Sequence, residues 1–218
     1  MRVICTRTTF IPSANNSPQG VDAHSICTHL YYTPHRCNLN ESIIYIKSDG
    51  SETVQSYPEL WQDAQRIVAG LRNIGLKPQD KVIFQLEDNQ DFICAFWGCV
   101  LGGFVPVPVS IAPIYEPANN TASKLQNTWQ MLEKPLVLTS STLAADIDNF
   151  SRVLNLENFK IATVDQLLKC EPDLELHQSE LEDLALVNGG IFQRIKSTLS
   201  SVYSRETKPF NRFNHTIR

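Results

Sequence analysis

The 218-residue sequence predicts an α/β fold, a mostly parallel sheet with helices on both faces. Three observations carry this. Short apolar runs of strand length alternate with amphipathic helical stretches from near residue 53 to near residue 187. Glycine and proline fall where those helices should stop. The segments between successive strands are also long enough for crossover units, which parallel strands require and hairpins do not.

The elements follow in order. Residues 1–40 show no period of either kind and hold the turn formers Pro12, Asn15, Asn16, Pro18, Gly20 and Pro34, so they read as an irregular leader. Ile43–Ile46 and Thr53–Val54, joined by Ser48-Asp49-Gly50-Ser51, give a hairpin signal. Ser56 or Tyr57 opens the first helix, with Pro58 in its first turn and Glu59 near its positive end. Leu60, Ala64, Ile67, Val68, Leu71 and Ile74 form its apolar stripe, and Gly75 and Pro78 end it.

Lys81–Leu86 reads as a buried strand. Asp88 or Asn89 caps the next helix, 91–100, which is apolar on most sides and stops at Gly102-Gly103. Phe104–Val109 is a strand whose prolines, Pro106 and Pro108, lack ladder donors; it belongs at an edge or leaves the sheet early. After a Pro/Asn loop come a helix marked by Leu125, Thr128, Trp129 and Leu132, a short strand at 136–138, and a helix through Leu143, Ile147 and Phe150. In Ser140-Ser141-Thr142 we read a serine helix cap. Lys160–Val164 is one more strand, followed by a helical turn at 166–168.

Three segments result: the leader 1–40, an ordered body 41–187, and a divergent tail 188–218. The tail carries Arg194, Lys196, Arg205, Lys208, Arg212 and Arg218 against the single acid Glu206, within a chain of net charge −4. No run of consecutive charges accompanies this bias, so no nucleic-acid partner is expected. The tail reads as out-of-frame or disordered sequence; the alternative is one amphipathic helix through Ile191, Phe192, Ile195, Leu199 and Val202.

At 42% hydrophobic and 19% charged, the composition is that of an ordinary globular protein. No apolar run approaches the ~18 residues of a membrane span, and the start lacks the ~7–15-residue apolar region of a secretory signal. The expected compartment is the cytoplasm, with all six cysteines reduced. His24, Cys27, His29, His35 and Cys37 form a metal-like cluster, but Cys27-Thr28-His29 and His35-Arg36-Cys37 are spaced too tightly for a paired-ligand zinc site. No metal-binding residue is assigned.

Three stretches carry a family likeness. Ser56-Tyr57-Pro58-Glu59-Leu60 is a Ser/Thr-Tyr-x-Glu-Leu helix start. Gly75-Leu76-Lys77-Pro78-Gln79-Asp80-Lys81-Val82 is a turn before a strand, with Gln79 where glycine is usual. Phe96 to Pro108 runs from a helix through Gly102-Gly103 into the Pro-containing strand. In order and spacing the set resembles the adenylate-forming (AMP-binding) enzymes: acyl-CoA synthetases, fatty-acyl-AMP ligases and the adenylation domains of nonribosomal peptide and polyketide assembly lines. The resemblance covers roughly residues 42–187, the first subdomain of that fold.

The resemblance implies ATP- and Mg²⁺-dependent activation of a carboxylic acid to an acyl-adenylate, then thioester transfer to CoA or a carrier protein. It also implies that Glu182–Leu186 leads into a phosphate-binding loop, Thr-Ser-Gly-Ser-Thr-Gly-x-Pro-Lys. The sequence gives Val187-Asn188-Gly189-Gly190-Ile191-Phe192-Gln193-Arg194 instead. The expectation is a truncated adenylation domain, inactive alone, with no catalytic or cofactor-binding residue and no bound cofactor of its own. Leu138–Leu143 has hydroxyls but neither glycine nor lysine, so it does not replace the loop. The rival is the N-terminal half of a split enzyme, or a scaffold module, whose exposed apolar sheet edge docks a complementary polypeptide or carrier protein. An independent nucleotide-binding protein fits least, because no Gly-rich loop follows a strand.

Overall fold

The structure, a computed structural model, describes residues 2–5, 42–47, 49–179, 183–188 and 191–194. The metal-like cluster and the leader's turn formers lie outside these, as do Ile195, Leu199 and Val202 of the tail. Strands β1 (Arg2–Cys5), β2 (Ser42–Ile46) and β3 (Glu52–Ser56) form an antiparallel sheet in the order β1-β2-β3. The leader therefore contributes a strand where irregular chain was expected. Its Arg2–Cys5 run is short and unpatterned, and pairing with Ile43–Ile46 supplies the order that local sequence does not.

Helix α1 (Tyr57–Asn73) starts in a capping box. Glu59 N–H donates to the Ser56 hydroxyl, and the Glu59 carboxylate accepts from Ser56 N–H at 2.8 Å. Hydrogen bonds donated to the carboxylate, first by the Ser56 N–H and then by the Ser56 hydroxyl at 2.8 Å, hold the Glu59 carboxyl below its usual value. The motif residues Tyr57 and Glu59 thus begin a helix. The stripe from Leu60 to Leu71 is buried, whereas Ile74, past the last turn, is exposed.

The main sheet is parallel and four-stranded: β4 (Lys81–Gln85), β5 (Val105–Pro108), β6 (Leu136–Thr139) and β7 (Ile161–Thr163), ordered β5-β4-β6-β7. Its crossovers are α2 (Asn89–Gly102), α3 (Asn120–Met131) and α4 (Ala144–Val153); α5 (Val164–Leu167) follows β7 directly. Successive residues of β4 face opposite layers. Val82 and Phe84 pack with Ile67 and Leu71 of α1, Ala95 and Cys99 of α2, and Leu167 of α5. Ile83 packs with Leu125 and Trp129 of α3 and Ile147 and Phe150 of α4. Helices cover both faces, as the continuous apolar runs require.

Close contact between α1 and α2 depends on Gly98, where a Cβ would lie 2.4 Å from Ile67 Cγ2. The small sheet packs Ile43 and Tyr45 on the outside of this helix pair, beside Leu60, Ala64 and Val68.

The proline strand β5 is at the sheet edge, as its sequence requires. Val105 and Val109 donate to β4, at Asp80 O (2.9 Å) and Phe84 O (3.3 Å), so the alternate residues Pro106 and Pro108 face outward. That edge is covered. Strand β8 (Leu184–Asn188) packs beside β5, contributing Leu184 and Val187 to the same core, and pairs antiparallel with β9 (Ile191–Arg194).

The tail thus begins with a strand, neither helical nor disordered at 191–194. Asn188 pairs with Ile191, so only Gly189 and Gly190 intervene, a pair that two-residue hairpin loops favour. Among the described residues, no helix is long and apolar enough to cross a membrane.

Candidate functional site

In a parallel α/β sheet the place to look for a ligand is the rim at the carboxyl ends of the strands. Here register puts Gln85, Thr139 and Thr163 in one row across β4, β6 and β7. All three are buried, Gln85 and Thr139 at 0% exposure.

The row satisfies itself. Gln85 Nε2 donates to Val109 O at 2.8 Å, and Gln85 Oε1 accepts from the Tyr115 hydroxyl at 2.7 Å. The Thr139 hydroxyl donates to Gln85 O at 3.0 Å, while Thr163 is the cap of α5, in a capping box with Gln166. Burial, reinforced by Glu87 and Asp146, pushes the Tyr115 hydroxyl up to about 12, so it stays a neutral donor. Among the described residues no buried side-chain nitrogen or oxygen lacks a partner.

The outer rim is acidic. Asp88 caps α2 through the N–H groups of Gln90 and Asp91. Asp91 is pushed up to about 6, first by burial and then by the charges of Asp88 and Asp165. The Ser141 hydroxyl donates to Asp165. This corrects the expected serine cap: α4 starts after Leu143 with no side-chain cap, and Ser140 hydrogen-bonds Thr142 at 2.7 Å. Position explains the difference. Ser140 and Ser141 precede the cap residue by two or more positions, too far back to meet the helix's free N–H groups.

No catalytic or cofactor-binding residue was assigned from the sequence. The motif residues do not gather at the rim: Tyr57 and Glu59 begin α1, and Gly103 ends α2 in the left-handed region at φ +72°. A Cβ on Gly103 would meet the His177 ring at 2.3 Å, so it serves conformation and close packing together.

Sequence reasoning missed the pairing of Gln85 with Tyr115. A polar residue closing the otherwise apolar run Val82-Ile83-Phe84 was the available signal for the first. Tyr115 lies in a Pro/Asn loop whose path no periodicity fixes.

A nucleotide fits this rim poorly. A triphosphate needs cations, Mg²⁺ or a cradle of free backbone N–H groups. The loops after β4, β5 and β6 hold no lysine or arginine, and α5 opens with Val164-Asp165-Gln166; the acids Glu87, Asp88, Asp91 and Asp165 stand there instead. The N–H groups at the start of α2 are already used by Asp88. Strand β8 starts at Leu184 beside Gln79, at the amino end of β4, and runs along β5 toward this rim. At Asn188 it turns back into β9.

Comparison with known proteins identifies relatives. Residues 35–177 match the family described as AMP-binding enzyme. The nonribosomal peptide synthetase atrA of Aspergillus terreus (strain NIH 2624 / FGSC A1156) is 30% identical over 125 residues, 56% of this chain and 13% of that protein. The structure of McyG A-PCP complexed with phenylalanyl-adenylate superposes with a TM-score of 0.64 at 39% identity, over 66% of this chain and 26% of that one. An adenylation domain of a keto acid-selecting NRPS module, bound to keto acyl adenylate, gives a TM-score of 0.67 at 36% identity, over 73% and 30%. The fatty acyl-adenylate ligase from L. pneumophila, at 19% identity and a TM-score of 0.58, shares the fold. The chain therefore spans between about an eighth and a third of the length of these relatives.

Proposed function

Because this chain belongs to the AMP-binding enzyme family, whose adenylation domains activate carboxylic acids, we propose that it supplies the first α/β layer of such a domain and does not adenylate by itself. One observation carries the second half. Where the resemblance calls for a phosphate loop, β8 turns at Asn188 into β9, on a rim whose loops hold acids and no cations. Bringing a carboxylate onto an anionic α-phosphate requires that negative charge be neutralised. Each preorganised donor of this kind is worth about 10²–10³ in rate, so losing the whole set leaves nothing to measure.

The relatives support an assembly-line setting, with an amino or keto acid as the substrate class; carrier-protein transfer follows from the same likeness. ATP–pyrophosphate exchange with a panel of amino, keto, aryl and fatty acids tests the reading. The expected result is exchange no faster than the protein-free blank, and clear acid-dependent exchange by the purified 218-residue chain would overturn it.

A second reading, the N-terminal half of a split enzyme, is favoured by β7, which no other described strand pairs on its outer side. Under it, co-expression with a polypeptide carrying the absent loop and catalytic lysine restores exchange. The same co-expression without gain rules it out.

A further inference from the structure

Gln79 stands in the turn before β4 with φ +71°, a left-handed conformation that glycine adopts freely and glutamine does not. Its side chain gives a reason for glutamine here. The Gln79 Oε1 accepts from Leu184 N–H at 2.8 Å, and its Nε2 donates to Gly103 O at 3.3 Å. Its backbone N–H donates to the same Gly103 carbonyl at 2.7 Å. One residue thereby joins the turn into β4, the left-handed end of α2 and the first residue of β8.

Strand β8 needs such a tie. Its neighbour β5 faces it with Pro106 and Pro108, which have no N–H to offer, and β8 makes its ladder with β9 alone. Apolar contact through Leu184 and Val187 holds β8 against β5 but is non-directional, so it does not choose between registers.

The approach to β8 is tied in sequence as well. Asp173 N–H donates to Gln65 O, Arg72 bonds Asp173 at 2.6 Å and Glu175 O at 2.8 Å, and His177 N–H donates to Leu101 O. The His177 ring lies on Gly103 and its Nε2 is 2.8 Å from Asp183. Gln79 is the last tie in this series, and it accepts from the N–H of Leu184, the first residue of β8.

We propose that Gln79 is a positioning residue, a clasp that sets the register of β8 along β5 and so fixes where the chain arrives at the carboxyl-end rim. The proposal is independent of whether the chain adenylates, since its test reads amide exchange alone.

Hydrogen exchange of the intact chain followed by NMR separates the roles of Gln79. Q79G relaxes the turn and removes the clasp. Q79N keeps a residue that tolerates the left-handed region, with an amide one carbon too short to reach Leu184. Both are expected to speed exchange at Leu184 by about tenfold, the loss of roughly one hydrogen bond, with Val187 following and Val82 to Phe84 unchanged. Q79E, whose carboxylate still accepts from Leu184 N–H, is expected to keep β8 near wild-type exchange. Unchanged exchange at Leu184 in both Q79G and Q79N overturns the proposal. So does an equal acceleration across β4 and β8, which would make Gln79 a general stability residue.

Discussion

The two ends of the parallel sheet are built on different logic. At the carboxyl end Gln85, Tyr115 and Thr139 bond one another and the backbone, and among the described residues no buried side-chain nitrogen or oxygen is left without a partner. At the amino end the bonds run between distant segments: Gln79 to Leu184, Leu101 to His177, Arg72 to Asp173. The first arrangement closes a surface, and the second holds a late segment against an early one. In an α/β protein the carboxyl end ordinarily receives ligand. Here the described residues at that end bond among themselves, while Gln79 and Leu101 bond to β8 and the segment that leads into it.

Substituting each end in turn tests the contrast. The largest effect belongs to Gln85→Leu, which strands the buried Tyr115 hydroxyl and Val109 carbonyl. At about 1–3 kcal/mol for each, roughly 2–6 kcal/mol of stability should vanish in urea unfolding. A loss under 1 kcal/mol would mean that the network is not a closed one. Next is Gly103→Ala, which combines left-handed strain with a Cβ driven onto the His177 ring. We expect a loss of about 2 kcal/mol, with exchange protection falling in β8 more than in β6.

Asp91 gives a smaller, pH-dependent effect. Its folded pKa of about 6 lies above the ordinary 3.8, so the folded state binds this proton more tightly than the unfolded chain does. Its contribution is therefore favourable below 3.8, is lost as pH rises through about 6, and is an uncompensated charge beyond that. Asp91→Asn should raise Tm by a few degrees at pH 8 and by almost nothing at pH 4. A Tm gain independent of pH would reject this cause. Smallest is Arg152→Ala, which removes a surface pair with Asp148, spaced i,i+4, whose arginine is 76% exposed. Less than about 0.5 kcal/mol should change, setting the floor against which the buried network is judged.

These contrasts also show what the sequence made legible. The strand–helix alternation, the Ser56 cap, the break at Gly75 and the edge placement of the Pro106/Pro108 strand follow from local chemistry, and the structure agrees with each. What escaped depends on partners far along the chain. Arg2–Cys5 becomes a strand because β2 pairs with it. Ile191–Arg194 becomes one because β8 precedes it across two glycines. Gln79 departs from the glycine usual in this turn, and its side chain accepts from Leu184, 105 residues later, a partner that local sequence does not reveal. For the rim, the absence of lysine and the presence of acids were readable in advance. Its closure by Tyr115 was not, because a proline-rich loop carries no period to place a side chain.

The central claim is that the described scaffold lacks the groups that grip a triphosphate. Titrating the purified chain with Mg²⁺·ATP while recording amide chemical shifts tests it most directly. The account predicts no saturable shift at the rim, at Glu87 to Asp91 or Ser140 to Asp165, up to millimolar nucleotide. Saturable shifts there with a micromolar Kd would contradict it.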